Sequence, residues 1–576
     1  MKNIKLKVGA IVASTLLMVA VSCSDDFLEI APTGLLAESQ LTSLAGLDAS
    51  LIAAYSQVNG RGQRMASPSN WVWGSIRGGD ANKGTDPGDF NTINPIQRFE
   101  TDATNVILLE NWNGLYEGVA RSNNVLRLLL SKGEDVTDAD VVRLSAQARF
   151  LRGHYYFQLK RNFNNVPYVD ETLDYGTGLE DVVNNVDIWP MIEADFQYAA
   201  DNLADTQSQV GRVNSWAAKA YLGKVYMYQG KFPQAKTLFD DVINNGVTSS
   251  GDKYGLLDNY GNLFRGEYDN NLESVWAYQS AAGTGSVNNA NPEFDLNNPY
   301  NSAAPGVCCG FFAPSFTFVN SFRTNSNGLP LLDESYNSSA NRVKNDMGVA
   351  TDAAFSIDQG PIDPRVDHTA GRRGIPYIDW VEHPGQSWIR QQSFSGPYSV
   401  KKFVYSRTEV GTFQDNSSWT PGYTGINFNI IRFADVLLMA AEAEVETGGL
   451  EKARDYVNMV RTRAMNSKVM KLDGSGPAAN YQVGLYTTPW SDPAAARAAV
   501  RFERKLELGM EGHRFYDLVR WGTASEELNA YLAFDGALLL NALGGATYTD
   551  KHVVLPIPQA QIDLLGPDIL IQNPGF

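Results

Sequence analysis

RVNSWAAKAYLGKVYMYQGKFPQAKTLFDDVINNG, running from Arg212 to Gly246, is the stretch from which the fold can be read. Leu222, Gly223 and Tyr226 share one face of a helix, Gly230 ends that helix, and Ala235 and Phe239 share the inward face of a second. The small residues let two backbones approach while the large ones fill the seam between them. A hairpin of this size cannot bury its apolar face alone, so it requires neighbours.

The spacing L-G-x2-Y followed by A-x3-F is that of a tetratricopeptide repeat, a helix-turn-helix unit of about 34 residues. Lys219 stands where that repeat usually carries Trp, with Trp216 one turn earlier. A degenerate second copy lies in IIRFADVLLMAAEAEVETGGLEKARDYVNMVRTRA, where Gly448, Ala453 and Val457 take the places of Gly230, Ala235 and Phe239. Ala440, Ala441 and Glu444 there replace Leu, Gly and Tyr. Periodicity and capping residues predict further helices over Leu41–Val58, Asn105–Leu130, Asp138–Phe163, Ile188–Leu203 and Ala494–Met510, and one ending at Trp521. The fold class that follows is mainly α, a tetratricopeptide-like helical-hairpin superhelix.

Between the two copies the pattern changes. Val247 to Ile426 is dense in Gly, Asn, Pro, Ser and aromatic residues and reads as short strands and long loops. It is too long for a structureless connection, so it is expected to be a loop-rich insertion carried on the helical frame. The predicted organisation is a signal peptide over 1–22, a tether over 23–40, a helical part over 41–246, the insertion over 247–426 as candidate ligand-binding side, and a helical part over 427–576 completing the same domain.

A net charge of −17 argues against nucleic-acid partners, and 26 Phe, 26 Tyr and 11 Trp with 43% hydrophobic residues argue against disorder. With five histidines and no CxxC or HExxH pattern, neither a metal nor a cofactor is expected. The first candidate ligand-binding stretch is SNWVWGSIRGGDANKGTDPGDFN, read as a surface loop after the first long helix. Trp71 and Trp73 there could stack on a sugar, with Arg77, Asp80 and Asn82 bonding its hydroxyls; the alternative is that a ring packs into the helices beneath. A second candidate is the cluster of Tyr300, Phe311 and Phe312 around Cys308 and Cys309, with Trp380, Trp388 and Trp419 further on. Those rings either stack on ligand or form the insertion's own core, and the adjacent cysteines are either bonded or free. His154, on a helix face, reads as a packing residue.

Glu503, Glu507 and Glu511 repeat every four residues, which spaces neighbouring carboxylates about 5.4 Å along a helix, close to the separation a retaining glycosidase uses. Interleaved Arg501, Arg504, Arg514 and Arg520 favour a packed helix with paired charges instead.

Lys2, Lys5 and Lys7 before the apolar run Val8 to Val21 read as a secretory signal peptide. Ala20-Val21-Ser22-Cys23 resembles a bacterial lipobox, which makes Cys23 the lipidated first residue of the mature chain, and Ser24-Asp25-Asp26 resembles the surface-export signal of Bacteroidetes lipoproteins. With SDDFLEIAPTG, AQARFLRGHYYFQL, IRFADVLLMAAEAEVETG, RFERKLELGMEGHRFYDLVRWG and VVLPIPQAQIDLLGPDILIQNPGF, the chain resembles the SusD/RagB family of outer-membrane nutrient-binding lipoproteins from Cys23 to Phe576. The resemblance implies a surface-exposed lipoprotein of the outer membrane, not an enzyme, that captures an oligosaccharide and delivers it to a SusC-like TonB-dependent transporter. It also implies a sugar site at Trp71, Trp73 and Asp80, joined by Tyr300 and Phe311. Some members of the family take peptides, so a peptide ligand stays open, as does a secreted glycosidase.

Overall fold

The structure, a computed structural model, describes residues 38–576 apart from 63, 174, 179 and 180. The expected signal peptide, Cys23 and most of the tether lie outside the described residues.

Helices α1 (Leu44–Tyr55), α2 (Val106–Leu130) and α3 (Asp138–Phe163) each begin on a side chain that accepts from a free helix N–H: Ser43, Asn105, and Thr137 in a capping box with Asp140. Each cap stabilises its helix by about 1 kcal/mol. Helices α2 and α3 approach closely because Gly118 faces Tyr155; a Cβ at Gly118 would lie 2.4 Å from that ring. Helix α4 (Trp189–Asn202) is fastened to α3 by Asp195, which Arg149 and Arg152 both reach at 2.8 Å.

The hairpin that opens the sequence argument is α5 (Ser215–Tyr228) and α6 (Phe232–Asn245). Gly230 turns the chain at φ +67°, and Gly223 faces Phe239 where a Cβ would lie 2.6 Å from the ring. Leu222, Ala235 and Phe239 are buried. Lys219 lays its ammonium 4.1 Å from the centre of the Trp216 ring and pairs with Asp241 at 2.7 Å, so the Lys and its displaced Trp together close the hairpin.

The second copy, α7 (Phe433–Glu446) and α8 (Leu450–Asn466), packs directly on the first. Lys224 meets Asp435 at 3.0 Å, Asp240 meets Lys452 at 2.6 Å, and Glu444, standing where the repeat has Tyr, is buried between Lys236 (3.2 Å) and Lys452 (2.9 Å). Helices α9 (Pro493–Leu508), α10 (Arg514–Trp521) and α11 (Ala524–Leu538) complete a mainly α frame.

The region between the copies contains short strands and 3-10 turns, and its longest described helix, Phe316–Ser321, has six residues. Two antiparallel pairs tie it into the frame. Strand β1 (Ala81–Gly84), from the amino-terminal half, pairs with β3 (Phe311–Pro314), and β2 (Ser274–Tyr278) pairs with β4 (Phe428–Arg432), which runs straight into α7. One hydrophobic cluster passes without a break from the helices into this region, taking in Phe294, Phe403 and Phe428. The insertion therefore shares the frame's core instead of closing on one of its own.

Candidate functional site

The expected surface loop around Trp71 is corrected by the structure: Trp71 to Ile76 is a buried helical turn of the wide, i to i+5 type. Most of its polar groups are engaged inside the protein, while Trp71 Nε1 and one terminal nitrogen of Arg77 are buried without a partner. Asp80 accepts from the Met510 N–H at 3.0 Å, Ser75 accepts from the Gly512 N–H at 2.9 Å, and Arg77 lies 3.8 Å from the Phe515 ring centre and donates to the His552 carbonyl at 2.6 Å. Asn82 donates to the Ser395 carbonyl at 3.0 Å, and Trp73 Nε1 donates to the Met65 carbonyl at 2.7 Å. Burial pushes the Asp80 carboxyl up to about 6, against the opposing effect of the Met510 N–H. The turn is a clasp on the link between α9 and α10. It closes tightly enough that a Cβ on Gly74 would sit 1.9 Å from the Gly512 carbonyl oxygen.

Phe311 and Phe312 are buried with it, so these rings cannot offer a face to a ligand as they stand. They form a floor. Trp71 meets Phe311 and Phe312 edge-on at 6.4 and 5.6 Å, and Phe311 in turn meets the half-buried Phe90 at 6.3 Å. Of Trp71, Trp73, Tyr300, Phe311 and Phe312, Tyr300 alone reaches the surface, 38% exposed.

Two exposed rings, Trp419 and Tyr300, belong to segments that adjoin the Cys308–Cys309 loop. Trp419 is 63% exposed, and the adjoining Thr420 hydroxyl donates to the Gly306 carbonyl at 3.0 Å, which sets Trp419 beside the loop carrying exposed Val307 and the Cys308–Cys309 disulfide. Gly310, next to that disulfide, stands against Tyr300 and Arg390. The Arg390 guanidinium lies 5.3 Å from the Tyr300 ring centre, pairs with Asp86 (2.8 Å) and Asp89 (2.5 Å), and donates to Thr85 at 3.0 Å. Arg64 lies 5.9 Å from the Phe90 ring centre and forks onto Asp295 at 2.7 and 3.3 Å. Lys83 donates to the carbonyls of Asp86 and Asp89, and burial lowers its pKa to about 8. Phe90 itself is held at φ +46°, a conformation that costs a bulky residue about 1–3 kcal/mol and that tight loops retain where a side chain must be presented.

Phe90, Arg64 and Arg390 were missed in reading the sequence, where Trp419 stood as a ring that either stacks on ligand or packs in the insertion's core. The available signal was DPGDF, residues 86–90, where two carboxylates and a ring follow a Pro-Gly turn.

The four-spaced glutamates are structural. Glu503, Glu507 and Glu511 are buried against cations drawn from the insertion, β4 and α8. Arg365 reaches Glu503 and Glu507 at 2.7 and 2.9 Å, Arg432 reaches Glu507 and Glu511 at 2.5 and 2.8 Å, Arg461 reaches Glu503 at 2.7 Å, and Arg463 pairs with Glu507. Burial alone would raise the Glu507 carboxyl, but Arg463, Arg432 and Arg365 hold it well below the usual range. Of the arginines interleaved on the same stretch, Arg504 pairs with Asp435 and Asp517, Arg514 with Glu527 and Arg520 with Glu442, while Arg501 lies 4.8 Å from the Trp521 ring centre. His154 is a buried packing residue bonded to the Tyr221 hydroxyl at 2.8 Å, with its pKa pushed down to about 3 by burial.

Comparison with known proteins follows the fold. The sequence profile of the SusD family matches residues 272–576, and a profile described as "Starch-binding associating with outer membrane" matches residues 79–227. SusD-like protein P2 of Formosa agariphila is 25% identical over 97% of this chain and 98% of its own length. A SusD-like protein of Bacteroides ovatus is 28% identical over 47% of this chain and 49% of its own. Among solved structures, a laminarin-binding SusD-like protein superposes with a TM-score of 0.66 at 26% identity, covering 92% of this chain and 99% of that one. A SusD homologue of Bacteroides thetaiotaomicron superposes with a TM-score of 0.68 at 22% identity, covering 94% and 98%.

Proposed function

The chain belongs to the SusD family, and from that premise we propose that it is a surface lipoprotein of the outer membrane that binds a glycan and passes it, uncleaved, to a SusC-like TonB-dependent transporter. The observation that carries this reading is that Trp419 and Tyr300 are exposed in segments adjoining the Cys308–Cys309 loop, near Arg64 and Arg390, which carboxylates already match. Aromatic rings at the surface offer flat apolar area to the C–H faces of a sugar, while the paired side chains between them keep spare lone pairs and N–H groups for hydroxyls. Trp71, Trp73, Phe311 and Phe312 serve this site from beneath by fixing the strand and loop that carry Phe90 and Tyr300.

The charge pattern selects the class of glycan. An anionic sugar would have to displace Asp295 from Arg64, or Asp86 and Asp89 from Arg390, and would approach a protein of net charge −17. A neutral glycan meets neither obstacle. The laminarin-binding relative supports a neutral ligand.

Titration of the purified protein with laminarin, a polyuronate and a sulfated polysaccharide tests the reading. Saturable binding of the neutral polymer, with no shortening of its chains and weakened by Tyr300→Ala with Trp419→Ala, is expected. Binding of the charged polymers alone, or of peptides alone, would overturn it.

A further inference from the structure

Arg77 is a buried cation without a counter-charge. The groups that act on its charge are Tyr516 and Tyr548, with no carboxylate among them, and burial lowers its pKa to about 10. Burial acts in the same direction on Arg365 and Arg432, but carboxylates outweigh it there. A guanidinium taken out of water with nothing to balance it is costly to keep in a core.

Three donors are left over around it. One terminal nitrogen of Arg77 donates to the His552 carbonyl at 2.6 Å, and the other, Nη1, has no partner in the protein. The Tyr548 hydroxyl and His552 Nε2 are likewise buried without a partner. His552 is neutral, because burial, and then Arg77, push its pKa down to about 4. The Thr549 N–H donates to His552 Nδ1 at 3.2 Å, while the Thr549 carbonyl already accepts from the His552 N–H at 2.9 Å. The single ring hydrogen is therefore on Nε2, which makes that atom a donor. All three groups gather on one pair of rings. Phe99 meets Tyr548 at 5.0 Å and His552 at 5.6 Å, the Tyr548 and His552 rings lie 5.9 Å apart, and Phe99 stacks at 6.5 Å on Phe515, over which Arg77 lies.

A water molecule would answer two of these donors and none of the charge. An anion answers both. Because Arg77, Tyr548 and His552 are only 2–4% exposed, a monatomic ion fits where a sulfate or an organic carboxylate would have to open the core. We propose that a halide ion is held by Arg77 Nη1, the Tyr548 hydroxyl and His552 Nε2, as a counter-ion at the join between the Trp71–Ile76 turn and the carboxyl-terminal segment. The site is independent of whether the chain binds a glycan. Its occupancy adds stability in proportion to the logarithm of the halide concentration above the dissociation constant.

The test uses the purified full chain with sodium chloride, bromide or methanesulfonate at one ionic strength. Crystals grown in bromide should give an anomalous peak beside Arg77 Nη1. The melting temperature should rise with chloride by about 2 °C but not with methanesulfonate, and Arg77→Met should abolish that rise. Should Arg77→Met fail to fold, Tyr548→Phe removes one donor and no charge, and it should need about tenfold more chloride for the same rise. A water at Arg77 Nη1 in the bromide crystals, without anomalous signal, would overturn the proposal. So would an equal rise in methanesulfonate, which is general screening, or an unchanged chloride response in Tyr548→Phe. A bromide peak without a chloride-specific rise would mark an adventitious ion only and overturn it equally.

Discussion

The paired helical hairpins and the region between them are both rich in buried rings, but they are held together over very different distances along the chain. In α5 and α6 the contacts that matter are local: Gly223 against Phe239, Lys219 against Trp216 and Asp241. In the insertion they are remote. Tyr260 bonds the Glu507 carbonyl 247 residues away, and the clasp joins Asp80 to Met510 across 430. Local contacts make a frame that repeats, while remote ones decide which of many rings end up outside. The lesson is that ring density in the sequence does not say which rings reach the surface and which support them.

The sharpest way to break this comparison is to strike the place where frame and insertion share charges. Glu507→Ala leaves Arg432, Arg463 and Arg365 facing one another without a central anion in a fully buried site. A loss of about 5 kcal/mol is expected, the upper end for removing one partner of a buried pair, read as a fall in the denaturant midpoint. A loss under about 1 kcal/mol would show that the network does not join the two regions.

Next in size is Trp71→Ala. Because Trp71 supports Phe311 and Phe312, its removal should cost about 3 kcal/mol as a cavity mutation and weaken glycan binding only as far as the face above it loosens. A folded variant of unchanged melting temperature that loses all affinity would return Trp71 to the ligand.

A smaller effect separates the clasp from the charged network by pH. The folded Asp80 carboxyl titrates at about 6, against about 4 in an unfolded chain. It therefore adds stability as pH falls through about 6 towards 4. Asp517 is opposite. Burial would raise it, but Arg504, Arg520 and His513 bring it to about 2, so its contribution is complete above about 4 and is lost as pH falls towards 2. Asp80→Asn should flatten the rise in stability between about pH 7 and 5 and spare the fall at lower pH. An unaltered slope above pH 5 in that variant would contradict the buried clasp.

Much of the frame was legible because its signals lie within one turn or one hairpin. Asp138–Phe163 was placed to the residue, since Thr137 and Asp140 announce its start, and Glu444 was placed in the second copy though its lysine partners were not foreseen. The candidate site was legible only in part. WVWGSIRGGD looks like a sugar loop because Trp, Arg and Asp are the residues such loops use, yet Asp80 and Arg77 are taken up by Met510 and Phe515 at a distant helix junction, and Trp71 and Trp73 by Phe311, Phe312 and Met65. Tyr300 was picked from its neighbours and is exposed. For Trp419 the sequence left stacking and packing both open, because nothing near it in the chain says that Thr420 ties its loop to Gly306.

The central claim is that rings at the surface grip and rings beneath them support, and Trp419→Ala measured for both melting temperature and laminarin affinity tests it most directly. The account predicts a stability change within about 0.5 kcal/mol together with about tenfold weaker binding. A variant that melts several degrees lower while binding as tightly as the parent would contradict it.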